Sequence, residues 1–255
     1  MPAPHELASP LRNVGIVGVP PLEVIRRLNR DQVRIYDLDE PLVQSALETT
    51  APFVPRVYCA VLRTVVQNAL QLDLDAIFVD VGPGKCDSAG HIATILADVL
   101  GIPIIRTINE DQTGFGTPIC DSGLPLLEKL QRITAGVACA APPAKIPPPC
   151  PPTAAFWGVP PRDFSILRLF PDTTHVYGWT RCMENKTPAD ERLEGRYNPT
   201  IPTVFFAQSF CAKTALAQFL ANRHPHALYL DADVAASNST KAKIQAFLEL
   251  SGVPL

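Results

Sequence analysis

Apolar residues along this chain fall into two rhythms. Short runs such as Val14–Val19, Ala76–Val81 and 154–157 are apolar but for Asp80 and are bounded by Pro, Gly or Asp, the pattern of strands buried on both faces. Longer stretches place apolar residues at helical spacing, as Val57, Val61, Leu62, Val65, Val66, Ala69 and Leu70 do. Read in order, the chain predicts a strand at Val14–Val19 and a helix from Pro20-Pro21 to Leu28, with the prolines in its first turn. A strand at Val33–Tyr36 follows, then helices over Pro41–Glu48 and Val57–Leu72 and a strand at Ala76–Val81. Next come a helix over Ser88–Leu100 capped by Gly101, a strand at Ile102–Ile105, a long polar loop over Asn109–Gly123 and a helix over Leu124–Ile133. Farther on, strands are expected near 154–157, 175–178, 203–207 and 227–231, with helices near 162–169, 187–194, 210–222 and 240–250.

The second half echoes the first. Val14-Gly15-Ile16-Val17-Gly18-Val19-Pro20-Pro21 returns as Ala154-Ala155-Phe156-Trp157-Gly158-Val159-Pro160-Pro161, 140 residues later. Gln32–Asp37 is answered by Thr174–Trp179; Asp75–Asp80 by His226–Asp231 and Leu100–Pro103 by Ser251–Pro254, the last two at an offset of 151. Kept order with one change of offset implies an internal duplication of roughly 100 residues. The expected architecture is therefore α/β: two Rossmann-like parallel-sheet lobes from one duplicated unit, with a cleft between them. The lobes span 12–135 and 154–255, joined by a linker at 136–153 that is stiffened by seven prolines between Pro142 and Pro152. On this alignment the C-terminal lobe is the shorter copy, ending where the first continues into its fourth strand.

Composition narrows the function classes. Charged residues are 18% and hydrophobic ones 47%, which is globular and not disordered. A net charge of −3 without long like-charge runs argues against a nucleic-acid or membrane-surface partner. No apolar run is long enough to span a bilayer, and Met1–Pro10 carries no signal pattern, so a cytoplasmic protein is expected. Seven cysteines, none in a Cys-x-x-Cys pair, point to buried, catalytic or metal-bound thiols rather than a disulfide framework. A homodimer is one candidate assembly.

Chemistry is expected beyond the carboxyl ends of the strands. Gly82-Pro83-Gly84-Lys85-Cys86-Asp87-Ser88 joins the most apolar strand to a helix; free amides at that start, with Ser88 as cap and Lys85 beside it, favour an anion. It is not a P-loop, since Val79 and Cys86 occupy positions that need Gly and Ser or Thr. Gly18 and Gly158 would border the ligand, and Arg181, in a polar stretch over 181–198, could close over it as a lid. Cys86 and Cys211 both sit at helix starts, where thiol pKa falls, and with the strand-end carboxylates Asp37 and Asp231 they are the candidate catalytic groups. Cys59, 152 residues before Cys211, and Cys182 complete a set of four that could hold zinc or an iron–sulfur cluster; the cofactor itself is unknown. The leading expectation is an enzyme or cofactor-assembly protein that binds an anionic small molecule between the lobes. The alternatives are a non-catalytic sensor or carrier, a two-thiol racemase or isomerase, and a dinucleotide-dependent oxidoreductase using Gly15, Gly18 and Asp37. The racemase reading is architectural, because the Cys-Asn-Thr and Gly-Cys-Thr signatures of duplicated amino-acid racemases are absent.

Overall fold

The computed structural model describes residues 10–43, 52–55 and 57–254. Eight strands form two four-stranded, all-parallel sheets, an α/β fold. The first sheet contains β1 (Asn13–Val17), β2 (Arg34–Asp37), β3 (Ala76–Asp80) and β4 (Ile104–Thr107), in the order β2-β1-β3-β4. The second contains β5 (Ala154–Gly158), β6 (Thr174–Tyr177), β7 (Thr203–Gln208) and β8 (Ala227–Ala232), in the order β6-β5-β7-β8. The inner strands β3, β5 and β7 are buried at every residue, so their unbroken apolar runs reflect cover on both faces.

The helices are α1 (Leu22–Arg30), α2 (Ala60–Gln71), α3 (Asp87–Val99), α4 (Leu126–Gly136), α5 (Trp179–Asn185), α6 (Glu191–Glu194), α7 (Lys213–Arg223) and α8 (Asn238–Leu250), with a 3-10 turn over Phe164–Leu169. Leu22, Ile25 and Leu28 give α1 its buried face. Pro21 stands just before the helix as its N-cap, so both prolines precede the first turn in which they were expected. One core cluster runs through both sheets, from Ile16 and Phe78 to Phe156, Phe206 and Leu230, with Leu130 of α4 between them. The fully buried Lys129 ties α4 to the second sheet by donating to the Asp172 and Thr174 carbonyls at 3.0 and 2.5 Å; burial pulls its pKa down to about 8. No described helix is long and apolar enough to cross a membrane.

Four expectations change. Strand order sets β3 level with β7 and β4 level with β8, so Asp75–Asp80 does not answer His226–Asp231. The equivalent strands start 141, 140, 127 and 123 residues apart, and the drop comes from the longer connection between β2 and β3. The second sheet therefore has its fourth strand and is not cut short. Helix α3 ends on Leu100 in an extended conformation, without a left-handed Gly101. The helix expected over Pro41–Glu48 falls largely outside the described residues, and Pro41–Val43 are not helical. The polar stretch after β6 is no lid. Gly178, at φ 76°, turns the chain directly into α5, whose Trp179, Arg181, Cys182, Met183 and Glu184 are buried. Its polar groups find partners in the 116–121 segment: Arg181 pairs with Asp121, Glu184 accepts from the amides of Ile119 and Cys120 at 2.7 and 2.9 Å, and Asn185 accepts from Gly116 at 2.8 Å. Partnered burial is why so polar a segment sits inside.

Candidate functional site

Three helix starts meet at one pocket. Cys59 is the N-cap of α2, Cys86 the N-cap of α3, and Cys211 lies one residue before Ala212, the N-cap of α7. All three thiols line a pocket of ≈ 650 Å³ of empty space, its open mouth included, whose wall is completed from the second half by Val159, Arg162, Trp179 and Met183. The two halves touch closely here. The Ala60 amide donates to the Ser209 carbonyl at 3.5 Å, and a Cβ on Gly84, at φ 86°, would stand 1.8 Å from the Pro188 carbonyl oxygen. Phe210 adopts φ 61°, a left-handed conformation that costs roughly 1–2 kcal/mol in a residue with a side chain, immediately before Cys211.

Cys59 and Cys211 act on each other. The Cys211 thiol, hydrogen-bonded to Cys59, is the largest influence lowering the Cys59 pKa to about 6, against the opposing effect of burial. The amides of Leu62 and Val61 also favour the Cys59 anion, although neither closes a cap hydrogen bond of normal geometry. Cys211 receives one such amide, from Lys213, and its own pKa is driven well up by the bond to Cys59 and by burial. Between the two, the surroundings favour the anion at Cys59 and the thiol at Cys211.

Charge around them is dense and balanced. Lys85 lies 3.4 Å from Asp39, Arg162 reaches Glu40 at 3.5 Å and the Asp39 carbonyl, and Lys213 binds Glu194 at 2.6 Å and the Gly84 carbonyl at 3.0 Å. The ammonium groups of Lys85 and Lys213 stand 5.6 and 4.7 Å from the centre of the Trp179 ring. Burial opposes the Lys85 charge, yet Asp39 and Asp80 hold its pKa above the ordinary value. Burial pushes Asp37 well up, Glu40 up and Asp80 up to about 6; one oxygen each of Asp37, Asp39 and Asp80 is buried without a hydrogen-bond partner.

Asp80 gives a pH prediction. A carboxyl raised in the folded state adds stability that is complete below its unfolded pKa near 3.8 and is lost as pH rises through about 6. Asp80→Asn keeps the acceptor that takes the Asn109 amide at 3.0 Å and cannot ionise. Urea unfolding of the variant is expected to lack this loss between pH 4 and 6, leaving it more stable at pH 7 by about 2 kcal/mol; parallel pH dependences would contradict the assignment.

The candidate residues distribute unevenly. Lys85, Cys86, Cys59, Cys211 and Gly84 line the pocket. Gly82 and Ser88 lie beside it in the same turn, with Cys86 in place of Ser88 at the cap. Gly18 packs against Lys85, its Cβ position 2.1 Å from the lysine Cε, and its amide donates to Asp39 at 2.7 Å. Gly158 packs against the Phe206 carbonyl, and Asp231 is exposed on edge strand β8. Arg181 is spent on Asp121 and the Val176 carbonyl and does not face the pocket. Cys182 is fully buried, 3.8 Å from the Asp190 carbonyl, with its pKa pushed far up by burial, and it does not line the pocket with the other three. Among the described residues no three His, Cys, Asp or Glu side chains are placed to hold one metal ion. The donor set thus does not fit a zinc or iron–sulfur centre. A dinucleotide fits no better: Lys85 fills the approach to Gly18, and Asp111 caps the first amide of α1 at 3.1 Å, where a pyrophosphate would lie.

Sequence reading missed Arg162, Glu40 and Trp179. Arg162 directly follows the second Gly-Val-Pro-Pro turn, and Glu40 follows the acidic end of β2, so position beyond a strand was the available signal.

No protein-family model matches the chain, and no curated protein matches it. Among solved structures, one of MenH from S. aureus aligns over 94% of each chain at 10% identity, with a TM-score of 0.20, too low to carry an inference.

Proposed function

We propose that this chain is an enzyme that holds a small acidic molecule in the pocket between its two halves and acts on it through the Cys59 thiolate, with Cys211 as the adjoining proton donor. The observation that carries this reading is the placement of the pair: Cys59 and Cys211, 152 residues apart, stand at two helix starts on one pocket, where the Cys59 pKa is drawn down to about 6 and that of Cys211 is pushed up. A thiolate is the nucleophilic form of cysteine, and a neighbour that can return a proton completes an acid–base couple. Lys85, Arg162 and Lys213 supply cationic groups that an acidic ligand could share with Asp39, Glu40 and Glu194, while Val61, Leu62, Val159, Trp179 and Met183 would cover an apolar body. The four-cysteine metal reading is not carried forward.

We also infer that the halves descend from one unit. Support comes from the shared strand order, from offsets of 141 and 140 at the first two strands, and from Gly18 and Gly158 both standing at the ends of inner strands.

The test compares an anionic and a neutral alkylating agent. Cys59 is expected to favour iodoacetate over iodoacetamide several-fold more than the neutral thiol 2-mercaptoethanol does, and Lys85→Met should erase most of that preference. A ratio equal to that of the free thiol would rule out an acidic ligand. Should Cys59→Ser retain a ligand seen by native mass spectrometry of the purified protein while showing no change in its turnover, the protein would be a carrier.

A further inference from the structure

We infer that Cys59 and Cys211 work as a dithiol that reduces small disulfides, closing on each other into a disulfide that joins the two halves. Four observations carry this. Both cysteines line one pocket, and Cys211 packs against the buried cluster that contains Cys59. The main chains beside them are tied by the bond from the Ala60 amide to the Ser209 carbonyl at 3.5 Å, which holds the two helix starts side by side. The two partners are unequal, since the surroundings draw the Cys59 pKa down and push that of Cys211 up, which is the division of labour that exchange requires. Cys59 is 7% exposed and is reached through the pocket, which admits a small disulfide and keeps out a folded protein.

The exchange balances. The Cys59 thiolate attacks one sulfur of R–S–S–R, forming a mixed disulfide and expelling RS⁻. That thiolate takes the Cys211 proton and leaves as RSH. The Cys211 sulfur then attacks the Cys59 sulfur, breaking the mixed disulfide and releasing a second RS⁻, which is protonated by water. The protein loses two electrons to form Cys59–Cys211, and the small disulfide gains them as two thiols. Cys86, in the same pocket, is the competing resolving thiol. The exchange needs the two sulfurs alone; a preference for acidic disulfides rests on the ligand reading above and is tested separately.

The experiment uses reduced full-length protein treated anaerobically with oxidised glutathione, quenched in acid, alkylated and digested with trypsin. The expected product joins peptide 57–63 to peptide 197–213. Cys211→Ser should stop at glutathione on Cys59, and Cys59→Ser should give neither product. A link from Cys59 to the peptide holding Cys86, or glutathione persisting on Cys59 in the unmodified protein, would overturn the pair. If a variant does not fold, the map of the unmodified protein decides alone. Cystamine, a cationic disulfide, forms the second arm. Closure several-fold slower with cystamine than with oxidised glutathione supports the acidic ligand; equal rates leave the dithiol standing and remove the acidic preference.

Discussion

Gly84→Ala should lower the stability of this protein by about 3 kcal/mol, a drop of roughly 10 °C in Tm for a chain of this size. The glycine is at φ 86°, where any side chain is strained, and a Cβ there would lie 1.8 Å from the oxygen and 2.6 Å from the carbon of the Pro188 carbonyl. That neighbour is backbone from the other half and cannot rotate away. Relief requires the loop carrying Lys85 and Cys86 to withdraw, which would also release the Lys213 ammonium from the Gly84 carbonyl. Gly90→Ala is the control. Gly90 lies within α3 with nothing within 4 Å of its Cβ position, so the change should be neutral or stabilising by up to ~1 kcal/mol. Thermal unfolding of the two variants measures both. Equal behaviour would show that the halves do not meet tightly at this turn.

Cys59→Ser is expected to abolish fast alkylation of the pocket and to reduce any turnover by roughly a thousandfold or more, since serine offers no anion near neutral pH. The partner residue gives a graded effect. Cys211→Ala removes the largest influence favouring the Cys59 thiolate, leaving the weaker pull of the Val61 and Leu62 amides against burial. The Cys59 pKa should climb, and its alkylation at pH 7 should slow by about tenfold. Cys211→Ser restores a hydroxyl donor and should recover part of the loss. A variant series in which Cys59 reactivity ignores residue 211 would separate the two sulfurs functionally.

The inner strands were legible because apolar runs bounded by Pro, Gly or Asp have few other uses, as at 76–79 and 154–157. The start of α5 was not, because Arg181, Glu184 and Asn185 read as a solvated face until their partners at 116–121 are known, and those partners lie 60 to 69 residues away in sequence. The pairing of β3 with β8 failed for a related reason. Two apolar strands ending in Asp look alike along the chain, and strand order alone distinguishes β7 from β8. Lys85, Cys86 and Cys211 could be picked out from their place at strand-to-helix turns, and Cys59 from a helix start. That Cys59 and Cys211 touch, and that Cys182 is sealed elsewhere, depends on how two sheets meet, which residue spacing does not encode.

The pH dependence of Cys59 alkylation by iodoacetamide, followed at the peptide 57–63, puts the thiolate to the most direct test. A rate that reaches half its plateau near pH 6 and ahead of every other cysteine is the predicted result. A midpoint near 9, or Cys86 reacting first, would contradict it.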